Sequence, residues 1–284
     1  MKEATTTPKI SNVKAAILGF QHLLAMYSGD VLVPLLIGAA LHFTTEQMTY
    51  LVSIDIFMCG IATFLQLKRT PMTGIGLPVV LGCAVQAVNP LIQIGQTYGL
   101  GTMYGSIIGA GVFIFLIAGL FSKIKSLFPP VVTGSLITII GFTLIPVAFE
   151  NLGGGDATAK NFGNLPALGI GFLTIAIILL ISVFAKGFMK SVAILVGILA
   201  GTLLAGMFGM VSLKPVAEAS WFHLPTLFYF GTPKFEWSSI LTMMLVSLTT
   251  MVESTGVFFA LGEITGRKIE SADLKRGYRS EGIA

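Results

Sequence analysis

A single carboxylate inside a long apolar run is the residue placed most suggestively for chemistry. Glu253 lies in the stretch Met243 to Gly256, whose other polar members are serines and threonines. On a straight helix it would sit about 24 Å from Trp237 and about 21 Å from Arg267, halfway through a bilayer. A carboxyl at that depth must be protonated, paired, or turned toward water or a polar ligand. It could accept hydrogen bonds from N–H groups of a guest, and with its pKa raised by burial it could carry a proton. Glu263 is four residues before Arg267 and reads as half of an i,i+4 pair near the interface.

Further polar groups occur in other apolar runs. Gln21, His22 and Asp30 share the first run, with Asp30 in the break-prone centre Ser28-Gly29-Asp30. Asp55, in the second run, reads as structural. The stretch Thr73 to Pro90 has glycine and proline at both ends of a β-branched segment. It is expected to be extended in part, which membrane depth tolerates only beside protein or a polar cavity. A half-helix starting after Pro90 would aim free N–H groups at such a cavity. Cys59 and Cys83 fall inside apolar runs without metal-site spacing and read as small buried hydrophobes.

The elements that must position these residues are membrane helices. Hydrophobic residues make up 54% of the 284 positions and charged ones 11%, with a mean hydropathy of +0.89. That is far more apolar than a soluble domain. Spans of about 20 residues are expected over 15–41, 48–67, 75–95, 102–121, 130–149, 166–185, 189–211 and 238–262. With the N-terminus inside, every one of the 17 Lys and Arg except Lys160, Lys214 and Lys234 falls on the cytoplasmic side, as the positive-inside bias requires. The polar N-terminus and long first run argue against a cleaved signal peptide. The segment 215–234, with Trp221 and Tyr229, suits an interfacial element.

The same distribution excludes other classes. The net charge of +4 does not point to nucleic acid, because basic residues alternate with apolar runs. An intramembrane enzyme would need a set such as His-Glu-x-x-His; the three histidines, His22, His42 and His223, are scattered. A membrane receptor or structural protein remains the non-transport alternative.

Three segments carry a resemblance: Gly19-Phe20-Gln21-His22-Leu23-Leu24-Ala25-Met26-Tyr27, the run Gly82 to Pro90, and Glu253-Ser254-Thr255-Gly256 continuing through Phe259-Ala260-Leu261-Gly262. In these the chain resembles the nucleobase–ascorbate transporter (nucleobase:cation symporter-2) family, in its bacterial xanthine permease branch. The resemblance implies an all-α polytopic protein of the bacterial cytoplasmic membrane, with fourteen segments in two inverted repeats of seven and a short strand in the broken third segment. It implies a core domain over 1–128 (segments 1–4), a gate domain over 129–236 (segments 5–7), and segment 8 with the start of the second repeat over 237–284. The chain is then expected to be C-terminally incomplete, to lack the segment-10 selectivity motif and to be unable to transport alone.

By resemblance, Glu253 binds the N–H groups of a purine base and His22 supports the site; backbone around Val85, Gln86 and Ala87 is expected to complete the cradle, and Gln21 and Asp30, which share the first run with His22, are outlying candidates. The implied activity is proton-coupled uptake of a purine base, first of all xanthine; the rivals are a uracil or urate permease or an anion carrier. The proton is the coupling ion, no cofactor or metal is expected, and the full-length protein is expected to be a homodimer. Family patterns place a second ionisable group four residues after the glutamate, where this chain has Val257. They also place an aromatic in the third segment, where this chain has Val85.

Overall fold

The computed structural model describes residues 11–123, 130–154, 162–211, 214 and 225–284. The described residues form helices and no strand. In chain order these are α1 (Asn12–Asp30), α2 (Leu32–Ala40), α3 (Thr45–Leu67), a 3-10 turn (Val85–Ala87), α4 (Val88–Tyr98), α5 (Leu100–Phe121), α6 (Pro130–Leu152), α7 (Leu165–Phe184), α8 (Phe188–Ser191), α9 (Ala193–Met207), α10 (Trp237–Ile264) and α11 (Ser271–Ile283). Among the described residues, five helical stretches are long and apolar enough to cross a membrane: 12–40, 45–67, 100–121, 165–184 and 237–264. The chain is a polytopic α-helical membrane protein.

Two expected spans take another form. The run 75–95 is not one helix: backbone from Lys68 to Ala84 is non-helical, without strand pairing, and α4 starts only at Val88. The run 189–211 is divided at Val192 into α8 and α9. The interfacial element expected over 215–234 lies partly outside the described residues.

The chain divides into two units, residues 1–29 with 152–219 and residues 30–151 with 220–284. In the first, α9 packs along α7. Gly197 and Gly201, four residues apart on one face of α9, make this approach possible: a Cβ on them would lie 2.1 Å from Ile178 and 2.5 Å from Thr174. In lipid, where apolar side chains gain nothing by leaving solvent, such close backbone packing is a main source of helix association.

The second unit surrounds α5, which packs against α4, α10 and α11. One core joins Ile75, Leu77 and Val79 of the extended segment to Met251, Val252 and Phe258 of α10 and Leu274 and Tyr278 of α11. Helix α3 begins with a reciprocal capping box between Thr44 and Gln47, satisfying two amides that lack helical partners. Residues 225–236 are held by aromatic stacking, Tyr229 on Tyr50 at 3.9 Å and Phe230 on Phe43 at 5.1 Å between ring centroids.

Helix α10 is started by Glu236, whose carboxylate accepts from Ser239 N–H at 2.7 Å, from the Ser238 hydroxyl at 2.7 Å and from Ser238 N–H at 3.1 Å. These bonds, the Ser239 amide foremost, pull its pKa from 4.5 down to about 2. A folded value below the unfolded one stabilises fully above the unfolded value, and the benefit is lost as pH falls through the folded one. The cap is therefore expected to persist between 4.5 and about 2, where an ordinary glutamate is already protonated. Protected amides at Ser238 and Ser239 in hydrogen exchange across that window are the expected result; loss of protection near 4.5 would contradict it.

Candidate functional site

The site is built on the extended segment, and its backbone is the first thing to explain. Extended chain among apolar helices cannot leave its N–H and C=O groups unpaired. Here side chains supply the partners. Ser280 Oγ accepts from Gly74 N–H at 2.9 Å, Thr63 Oγ1 from Leu81 N–H at 3.1 Å, and Asp30 Oδ1 from Cys83 N–H at 2.8 Å. The Arg267 guanidinium donates to the carbonyls of Ile75 at 2.8 Å and Gly76 at 3.2 Å.

The lacing is tight at Gly82, where a Cβ would lie 2.2 Å from Asp30 Oδ1. Gly82→Ala must push Asp30 off the Cys83 amide, and forced overpacking costs about 1–3 kcal/mol. Gly60, mid-helix in α3 with nothing within 4 Å of a built Cβ, is the control, expected to gain up to about 1 kcal/mol as alanine. Thermal unfolding in detergent compares the two; equal melting temperatures would contradict the assigned tightness.

At the end of the segment, Val85–Ala87 forms a 3-10 turn that leads directly into α4. The break is shorter than a half-helix beginning after Pro90 requires, and Pro90 lies inside the first turn of α4. No side chain caps α4, so its positive end faces the turn. Gln86 Nε2 donates to Glu253 Oε2 at 2.9 Å and to Thr250 Oγ1 at 3.1 Å. Glu253 is thus paired through a neutral amide. It is exposed on its own unit, not enclosed, and its Oε1 is open to another donor. Val85 is half-buried and Ala87 is buried at 8% exposure; what Ala87 has to offer a guest is backbone.

The other sequence-derived positions fall elsewhere. Gln21 and His22 lie on α1 in the first unit. Asp30, in the second unit, is bound not to the Gln86–Glu253 pair but to Cys83 N–H and the Cys59 thiol. A cavity of about 290 Å³ lined by residues such as His42, Gln47, Gly95 and Gln96 lies toward the opposite end of α4 from Gln86 and does not include Glu253.

Against this geometry, comparison with known proteins is decisive. The family model Xan_ur_permease, described as a permease family, matches residues 13–284. The chain belongs to the nucleobase–ascorbate transporter family. It is 54% identical over 268 residues to the uric acid permease PucK of Bacillus subtilis, covering 94% of this chain and 62% of that protein. It is 52% identical over 271 residues to a xanthine permease of the same organism, covering 95% and 62%. A probable uracil permease of Haemophilus influenzae is 32% identical over 281 residues, covering 96% and 63%. The chain thus spans a little over three fifths of the length of these relatives.

Within this nucleobase–ascorbate transporter chain, two polar groups near Glu253 escaped the sequence reading. Thr250, one turn before Glu253, holds Gln86 in place. Glu281, on α11, has both carboxyl oxygens shut off from solvent, with Ser254 and Glu253 as their polar neighbours. Glu281 thus brings a second carboxyl close to Glu253 from a helix other than α10. Helix α11 was missed because Ser271–Ile283 is rich in charge, yet Leu274, Gly277, Tyr278 and Glu281 recur at i, i+3, i+4 and i+7, the signature of one helix face.

Proposed function

We propose that this chain serves a carrier that takes up a purine base, xanthine first, together with a proton, across the bacterial cytoplasmic membrane. The observation that carries this reading is the Gln86–Glu253 pair, displayed on an open face beside an uncapped helix start. A purine-dione offers ring N–H donors next to carbonyl acceptors. Glu253 would accept from the N–H groups and the start of α4 would donate to the carbonyls, while the Gln86 NH2, its two N–H groups taken by Glu253 and Thr250, would hold the carboxylate in place. Paired donors and acceptors at a fixed spacing also discriminate strongly, because a wrong base leaves a buried polar group unpaired.

Xanthine is preferred to urate on charge. Urate is an anion near neutral pH, and an ionised Glu253 would repel it. The urate reading draws on the likeness to PucK, and it requires Glu253 to be protonated when the substrate binds. Glu281, close to Glu253, gives the proton a second place to reside. His22, with Gln21, would support the site from α1.

The remaining architecture of the proposal follows the family. It comprises two inverted repeats of seven segments, a core over 1–128 and a gate over 129–236, a second-repeat core beginning at 237, a cytoplasmic N-terminus, and a homodimer. The core would carry the base past the gate. The test is uptake of labelled xanthine, urate and uracil by cells expressing the complete reading frame, with and without a proton gradient. Gradient-dependent accumulation of xanthine is expected. Accumulation of urate or uracil alone would overturn the substrate assignment, and accumulation of no base would overturn transport.

A further inference from the structure

Two carboxylates and two thiols meet in the second unit at a place the base-binding reading does not use. Asp30 closes α1, Asp55 and Cys59 lie one turn apart on α3, and Cys83 sits in the extended segment. One ligand atom from each of Asp30, Asp55 and Cys59 falls within 4.8 Å of the others. Cys59 Sγ lies 2.9 Å from Asp30 Oδ2 and 4.0 Å from Asp55 Oδ1, and Cys83 Sγ lies 2.7 Å from Asp55 Oδ1. Asp30 is 6% exposed and Cys59 5%, while Cys83 is open on one side. Asp55 Oδ2 is shut off from solvent and has no hydrogen-bond partner among the described residues.

We propose that Asp30, Asp55, Cys59 and Cys83 form a binding site for one thiophilic divalent cation of the zinc and cadmium class. A tetrahedral ion with bonds of about 2.3 Å to sulfur and about 2.0–2.2 Å to oxygen holds its ligand atoms about 3.5 Å apart. The ligand atoms of Asp30, Asp55 and Cys59 lie within 4.8 Å of one another and Cys83 Sγ lies 2.7 Å from Asp55 Oδ1, so rotamer changes in these three and a turn of Cys83 toward them would close the shell. The mixed sulfur and oxygen set selects the class, since hard cations such as magnesium and calcium take oxygen ligands alone. An ion held by both thiols displaces their two S–H protons to water, and the carboxylates complete the shell as anions. Asp55 Oδ2, unpaired in the free protein, gains a partner. Entry is from the Cys83 side. A bound ion would tie the end of α1 and the middle of α3 to a segment that reaches Gln86 three residues later.

Cadmium titration of the purified protein from the complete reading frame tests this, read by the thiolate-to-cadmium charge-transfer absorbance. The expected result is a saturable band at one ion per chain that disappears in Cys59→Ser/Cys83→Ser and whose affinity falls at least tenfold in Asp55→Asn. Tenfold is a low expectation, because even partners that only orient metal ligands contribute about 10–100-fold. A band that survives in the double serine variant, no saturable band, or an Asp55→Asn affinity equal to wild type would overturn the proposal. If a carboxamide variant does not fold, Cys83→Ser alone, altered on the open side, must still weaken binding.

Discussion

Glu253→Gln is expected to lower xanthine binding by about 10- to 150-fold and to bring uptake close to background. Hydrogen bonds to a charged group are worth about 1.5–3 kcal/mol, and each 1.4 kcal/mol is a factor of ten. The loss goes beyond removal of charge. A glutamine at 253 can turn its NH2 toward the ring N–H groups or toward the Gln86 amide that donates at 2.9 Å, so one contact becomes donor against donor. Glu263→Gln, exposed ten residues further along α10, should leave binding unchanged. Equilibrium binding in detergent and uptake in cells check both. Equal affinity in Glu253→Gln and wild type would remove the carboxylate from the site.

The second large effect is expected at Asp273. Its Oδ1 accepts from Arg69 at 3.0 Å, from Arg267 at 2.8 Å and from Arg276, while Glu270 N–H donates to Oδ2 at 3.2 Å. Burial opposes ionisation here, but the Glu270 amide and the three guanidiniums outweigh it and hold the carboxyl below its usual range. Removing one partner of a buried ionic group costs about 3–5 kcal/mol. The lower end applies, because the Arg69 side chain is 57% exposed. Asp273→Ala also frees Arg267, whose other bonds hold the carbonyls of Ile75 and Gly76. Loosening is therefore expected to spread from the α10–α11 connection to the extended segment. The predicted result is a large fall in melting temperature in detergent, with faster proteolysis between Lys68 and Ala84. An unchanged melting temperature would contradict the assignment. The depressed carboxyl also fixes the direction of the acid response: its contribution is full above the ordinary value of 3.8 and fades as pH drops through the lower folded value.

How much of this could be read in the sequence depends on the reach of each signal. Apolar runs and the placement of Lys and Arg are properties of single segments, and they marked α3, α5, α6, α7 and α10 to within a few residues. The glycines and prolines from Gly74 to Pro90 announced that this stretch would not be an ordinary helix, because they bar regular hydrogen bonding locally. What local pattern could not show was which partners replace those bonds. Ser280 serves Gly74 across 206 residues, and Gln86 finds Glu253 across 167. The cysteines were read as inert fillers because Cys59 and Cys83 are separated by a loop whose path only the fold determines. Their convergence on Asp30 and Asp55 is a tertiary fact. Glu281 was hidden differently: the charges around it look like a solvated tail, and the helix-face spacing of Leu274, Gly277 and Tyr278 carries the contrary signal.

The central claim is that a ring N–H of the base binds the Glu253 carboxylate directly, and a thermodynamic cycle between protein and ligand tests it. Xanthine and its singly N-methylated analogues would be titrated against wild type and Glu253→Ala. If the claim holds, methylation at one ring nitrogen weakens binding to wild type by tenfold or more and costs Glu253→Ala little, giving a coupling energy of about 1.5–3 kcal/mol for that position. If the effects of every methyl group and of the substitution simply add, the carboxylate does not touch the base, and the account fails.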